Sequence, residues 1–108
     1  MPRFAILEHD WPTLHWDLFL EAGTALRSWR LLAEPGPGKE VPAEPNATHR
    51  LLYLDYEGPV SVGRGSVRKW DAGTFDWITD DEERTVVKFQ GVRLTGECLI
   101  EGLSCRFR

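Results

Sequence analysis

The chain has 108 residues, close to the size of one compact domain and too short for two independent cores. Hydrophobic residues make up 42% and charged residues 28%, with five tryptophans and five phenylalanines, a globular rather than a disordered composition. The formal net charge of −4 excludes a broad electrostatic footprint on duplex DNA, which requires many phosphates to be neutralised, so any nucleic-acid contact is expected to be local.

No apolar run approaches the roughly 20 residues that span a membrane, and MPRFAILEHD lacks a signal-peptide apolar region and cleavage site. The expectation is a soluble, unexported, cytoplasmic protein with no membrane partner. Ten of the thirteen basic residues are arginine, which suits forked recognition of carboxylate or phosphate, although exposed surface arginine is the commoner use.

Short alternating segments separated by turn residues recur about every ten positions, so the fold class is all-β, mainly antiparallel, a sandwich or barrel of about eight strands. Strands are expected near 3–8, 13–22, 25–32, 48–56, 58–62, 65–70, 73–78 and 84–90, with 94–100 and 103–108 as a last hairpin. Turn signals are Glu21-Ala22-Gly23, Glu57-Gly58-Pro59, Asp71-Ala72-Gly73, Asp80 to Glu83, Gln90-Gly91 and Glu101-Gly102. A single domain over 1–108 follows, with one irregular loop, AEPGPGKEVPAEPNA, at 33–47. Cys98 and Cys105 flank the turn Glu101-Gly102 and are expected to face each other as reduced, part-buried thiols.

In HDWPTLHWDLFLE, residues 9–21, strand alternation puts His15, Asp17, Phe19 and Glu21 on one face and Leu14, Trp16, Leu18 and Leu20 on the other. The second face is wholly apolar and is assigned to the core, which leaves His15 and Asp17 on an open face or in a polar cleft. Pro12 and the turn Asp10-Trp11-Pro12-Thr13 can fold His9 back beside them. Two imidazoles and a carboxylate suit Mn²⁺, Zn²⁺ or Fe²⁺. The spacing is not diagnostic, however, and fits a half-buried hydrogen-bonding pair as well. In HRLLYLDYEG, residues 49–58, alternation aligns His49 and Tyr53, a pair able to contact phosphate and orient an oxygen, or else to serve as a strand start and a core ring.

The run FAILEHDWPTLHWDLFLEAGTALRSW, residues 4–29, resembles the opening of the 3′-phosphoesterase domain of bacterial DNA ligase D and its stand-alone relatives, F-x-x-x-x-H-D-x-x-x-L-H-x-D-x-R-L-E…L-x-S-W. HRLLYLDYEG resembles that family's H-P-L-x-Y-x-x-F-E-G block, GRGSVRKWDAGTFDW, residues 63–77, its G-x-G-x-V-x-x-W-D-x-G-T-W, and VKFQGVRLTGECLIEGL, residues 87–103, its closing hairpin. The resemblance implies a compact, closed or partly open β-barrel with a polar crater on one side. It implies Mn²⁺-dependent removal of a 3′-phosphate or 3′-terminal ribonucleoside from DNA ends in end-joining repair. It implies His9, His15 and Asp17 as metal ligands, with Zn²⁺ or another divalent transition metal as alternatives to Mn²⁺, and His49 and Tyr53 as catalytic residues. The partners it implies are DNA 3′ ends and a ligase or polymerase of the end-joining system, the domain itself being a monomer.

The departures are specific. The family's phosphate-clamping arginine, two residues after the metal aspartate, is Phe19 here; its glutamine two before the first metal histidine is Leu7; the acidic residue two before the catalytic histidine is Ala47; its proline-lysine-glycine-proline is Leu32-Ala33-Glu34-Pro35. Arg27, Arg30, Arg50 and Arg64 are the remaining sources of charge. Alternation turns Arg50 away from His49 and puts Arg27 and Arg30 on opposite faces, without choosing between them. Three readings follow: a metal-dependent 3′-phosphoesterase; a non-catalytic metal-containing module that binds a DNA end or a repair protein; and an inactive relative whose polar crater is structural.

Overall fold

The computed structural model describes all 108 residues. They form β1 (Arg3–His9), β2 (His15–Ala22), β3 (Ala25–Leu31), β4 (Glu40–His49), a 3₁₀ turn (Leu51–Leu54), β5 (Gly58–Pro59), β6 (Ser66–Asp80), β7 (Arg84–Gly91), β8 (Glu97–Glu101) and β9 (Ser104–Phe107). The antiparallel order β1-β2-β3-β4-β9-β8-β7-β6 returns to β1 through the β1–β6 pairing, so eight strands close a barrel, and β5 adds to the start of β6. There is no α-helix, and no helix is long and apolar enough to cross a membrane.

Alternation decides which side chains fill the barrel. Phe4 and Ile6 of β1, Trp16, Leu18 and Leu20 of β2, and Trp29 and Leu31 of β3 join Phe75, Val87, Phe89, Ile100 and Phe107 in the interior. The opposite face of β1–β3 carries a second, smaller cluster of Ala5, Leu7, Phe19, Leu26, Leu54 and Val67, covered by the 3₁₀ turn. Leu14, assigned by alternation to the core, lies before β2 begins and is 53% exposed.

Four expectations give way to barrel closure. The segment expected as a loop at 33–47 contains β4, which pairs with β9 at Glu40–Pro42 and with β3 from Ala43 onward. Its alternation is real, with Val41 and Ala43 inward, and Pro45 falls past the end of the β9 pairing, where a missing N–H costs no ladder bond. Residues 48–56 do not make a strand: β4 ends at His49 and the chain turns through the 3₁₀ segment, with Tyr53 N–H donating to the Arg50 carbonyl and Asp55 N–H to that of Leu52.

The expected strands 65–70 and 73–78 are one strand, β6, and Asp71-Ala72-Gly73 is not a turn. A bulge at Trp70, skipped between Ile6↔Asp71 and Leu7↔Lys69, bends β6, and Gly73 lets it press onto the Gln90 backbone where any Cβ would collide. The last hairpin turns at Gly102-Leu103, one residue later than expected, because Gly102 supplies the positive φ of 58°. Cys105 therefore faces Ile100, and Cys98 faces Phe107. The two free thiols are fully buried with their Sγ atoms 2.9 Å apart, and this hydrogen bond, with burial, pushes the Cys98 thiol far above its ordinary pKa.

Candidate metal centre

His9 and His15 are directly opposed across the β1–β2 hairpin, and Asp17 lies two residues further along β2 on the same outward face. Hairpin register, rather than the turn at Asp10–Thr13 alone, thus brings the first histidine in. One ligand atom from each of the three residues lies within 4.8 Å of the others. His9 Nδ1 is 3.5 Å from Asp17 Oδ2 and His15 Nε2 is 3.3 Å from Asp17 Oδ1, with the ring centroids 4.8 Å apart. The cluster is buried rather than open, the His15 side chain being 2% exposed and that of Asp17 10%.

Backbone carbonyls set the tautomer of each ring. His15 Nδ1–H donates to the Thr13 carbonyl (2.9 Å), and His9 Nε2–H donates to the Arg64 carbonyl (2.9 Å). The second bond depends on Gly65, whose φ of 70° and missing Cβ let the 60–66 loop close onto Asp10 and Trp11. What remains on each ring is a lone pair: Nδ1 of His9 and Nε2 of His15, both turned to the Asp17 carboxylate. His15 Nε2 is buried without a hydrogen-bond partner. Acceptors facing acceptors at these distances repel unless positive charge sits between them. One divalent cation shared by the two ring nitrogens and the carboxylate satisfies all three groups. The donor set therefore fits a metal ion.

His49 ends β4 opposite Leu26 of β3, and its Nδ1–H donates to the Ala47 carbonyl (2.8 Å), which leaves Nε2 for other chemistry. The Tyr53 ring meets it edge-on at 5.8 Å. Both rings rest on Phe19, with centroids at 5.0 Å for His49 and 6.1 Å for Tyr53. Phe19 is on the Asp17 face of β2, so the pair adjoins the ligand cluster. The structure thus gathers His9, His15 and Asp17 in one cluster and His49 and Tyr53 in a second beside it, the latter by a 3₁₀ turn in place of strand alternation.

Phe19 and Leu7, at the positions where the resemblance leads one to expect an arginine and a glutamine, belong to the same buried apolar cluster. Two further residues share this face: Arg30, one of the four candidate sources of charge, and Ser28, which spacing had not singled out. Arg30 is directly opposite Asp17 and Ser28 is opposite Phe19. The signal was present in the hairpin: its turn is Gly23-Thr24, and pairing back from Ala22↔Ala25 sets Arg30 beside Asp17.

A family model for the DNA ligase D 3′-phosphoesterase domain matches residues 7–102. The multifunctional non-homologous end joining protein LigD of Pseudomonas aeruginosa is 31% identical over 102 residues, covering 90% of this chain. The chain spans only 12% of that relative's length. A match over most of the chain, in one unbroken block that contains every residue of both clusters, places this protein in the DNA ligase D 3′-phosphoesterase domain family.

Proposed function

We propose that this protein is a divalent-metal-dependent phosphoesterase that acts on DNA 3′ ends, removing a 3′-phosphate or 3′-terminal ribonucleoside in end-joining repair, with Mn²⁺ as the metal. The observation that carries this reading is the convergence of His9 Nδ1, His15 Nε2 and the Asp17 carboxylate, with the two rings oriented by the Arg64 and Thr13 carbonyls. Bound there, a divalent ion supplies Lewis acidity toward a phosphoryl oxygen.

The remaining work falls to the protein's own residues. His49, whose Nδ1–H is engaged by the Ala47 carbonyl, presents Nε2 to the substrate: in the imidazolium form that nitrogen donates a proton to the leaving oxygen, and Phe19 fixes the plane of the ring. The Tyr53 hydroxyl, on a ring braced by Tyr56 at 5.8 Å, orients a substrate oxygen. A net negative chain engages a DNA end through such local contacts, and a ligase or polymerase of the repair system would supply the wider grip.

A second reading, a non-catalytic module that holds the metal and binds a DNA end or repair protein, is favoured by Phe19 and Leu7, which make the floor beside the metal apolar. One experiment separates them: wild type and His15→Ala are incubated with Mn²⁺ and a primer-template bearing a 3′-phosphate, and Mn²⁺ binding is followed by calorimetry. The phosphoesterase reading expects phosphate release by wild type alone and Mn²⁺ affinity in the variant lower by at least about 10-fold. Wild-type Mn²⁺ binding without release favours the module, and absence of Mn²⁺ binding by wild type overturns both.

A further inference from the structure

Four buried side-chain polar atoms in the protein have no hydrogen-bond partner, and three lie on one face: His15 Nε2, Ser28 Oγ and Arg30 Nε. The first is explained by a metal. The other two belong to β3, where Arg30 opposes Asp17 and Ser28 opposes Phe19, so the unmet donors border the metal cluster on the side away from β1. Directly opposed residues have Cβ atoms about 4.5–5.5 Å apart, which puts the Arg30 stem beside the Asp17 carboxylate.

Seven of the ten arginines have a side-chain partner; Arg30, Arg50 and Arg84 do not, and of these three Arg30 alone has a buried side-chain nitrogen with none. Arg3, Arg27, Arg68, Arg106 and Arg108 are in ion pairs with Asp55, Asp80, Glu8, Glu40 and Glu97. Arg27, the other candidate on β3, holds both Asp80 oxygens at 3.0 Å and stacks between Trp29 and Trp77, on the interior side of the strand. The Arg64 side chain lies over Trp11, and Arg93 over Trp70. Arg30 has a carboxylate opposite it on each neighbouring strand, Asp17 on β2 and Glu44 on β4, yet pairs with neither. A guanidinium with a shielded, unused N–H, next to a carboxylate committed to a cation, is arranged for an anion that arrives with the metal.

We propose that Arg30 binds the phosphate of the substrate in this site: reaching from β3, it takes over the role for which the apolar Phe19 on β2 is unfit, with the Ser28 hydroxyl as a second donor on the same face. The ligand class is a phosphate monoester or a terminal phosphodiester, gripped by the guanidinium fork on oxygens not directed at the metal. The inference rests on the metal-centre reading above and chooses between Arg27 and Arg30, which alternation alone had left undecided. Position 19 then records a relocation of the clamp by one strand, and Phe19 is left free to serve as the support of His49 and Tyr53.

The test uses the full chain, wild type, Arg30→Gln and Arg30→Lys, with inorganic phosphate as the probe, titrated by ³¹P NMR without metal and with Mn²⁺ replaced by diamagnetic Zn²⁺. Expected is a loss of phosphate affinity of about 10- to 100-fold in Arg30→Gln, the worth of a hydrogen bond to a charged group, with circular dichroism and Mn²⁺ affinity unchanged. Arg30→Lys keeps the charge, loses the fork, and should fall between the two; it also serves if the glutamine variant does not fold. Phosphate binding in both variants equal to wild type overturns the proposal, as does a wild type that binds metal and no phosphate. A wild type that binds no metal, yet binds phosphate through Arg30, overturns the metal reading and leaves the arginine's role standing.

Discussion

At the scale of single residues, Phe19 has the widest consequences. In the sequence it stands out only as the position where the resemblance leads one to expect an arginine. In the folded chain its ring, 2% exposed, is packed with Leu7, Leu26 and Leu54 on one side and carries His49 and Tyr53 on the other. Phe19→Ala should lower the unfolding free energy by about 3–5 kcal/mol, because the cavity left among rigid strands collapses only in part. Urea denaturation reads that cost directly, and a loss under 1 kcal/mol would mean the ring is not the support described. Leu7, on the neighbouring strand, belongs to the same buried apolar cluster.

Among elements, β6 is the one whose reading changed most. Asp71-Ala72-Gly73 has turn composition, yet the buried Asp71 carboxylate accepts hydrogen bonds from the N–H groups of Ala72 and Val92 at 2.9 Å, Arg93 at 3.2 Å and Leu94 at 2.9 Å. It holds the β7–β8 connection against the strand and lets β6 run on. Asp71→Ala should destabilise by on the order of 3 kcal/mol, since hydrogen bonds to a charged acceptor are lost and the freed N–H groups are only in part rehydrated. Hydrogen exchange should quicken first at Leu94, the buried member of that loop, and unchanged protection there would contradict the assigned role.

For the whole molecule, closure brings strand ends together that are far apart in the chain, and charged pairs tie several of them. Arg3 of β1 binds Asp55 after the 3₁₀ turn, Arg27 of β3 binds Asp80 at the end of β6, and Glu40 of β4 takes Ser104 and Arg106 of β9. The hydrogen bond from Arg3 holds Asp55 below its ordinary pKa, and those from Ser104 and Arg106 do so for Glu40. Burial works to raise Asp80, but the bonds from Arg27 and Thr85 outweigh it. A carboxyl depressed in the folded state contributes its full stabilisation above the unfolded value, about 4, and loses it as pH falls through the lower folded value. The Tm should therefore be level from about pH 7 to 5 and decline below about pH 4, modestly, because these carboxylates are exposed, with the decline smaller in about 1 M salt. A decline complete above pH 5 would assign acid sensitivity to other groups.

Alternation within β2 was legible in the chain itself, because a strand's period of two is a local property: Trp16, Leu18 and Leu20 had to face the core, and His15, Asp17 and Phe19 had to share the other side. The family, too, could be read directly, since its motif residues lie in short blocks that keep their order. Only the tertiary structure decided that the proline-rich stretch before His49 is a strand, because β9 and β3 supply backbone partners that local propensity does not foresee. It also decided which nitrogen of His9 is free, through the carbonyl of Arg64 on a distant loop, and that Arg30 rather than Arg27 is left unpaired beside Asp17. Those outcomes depend on partners remote along the chain, and closing the barrel is what makes them neighbours.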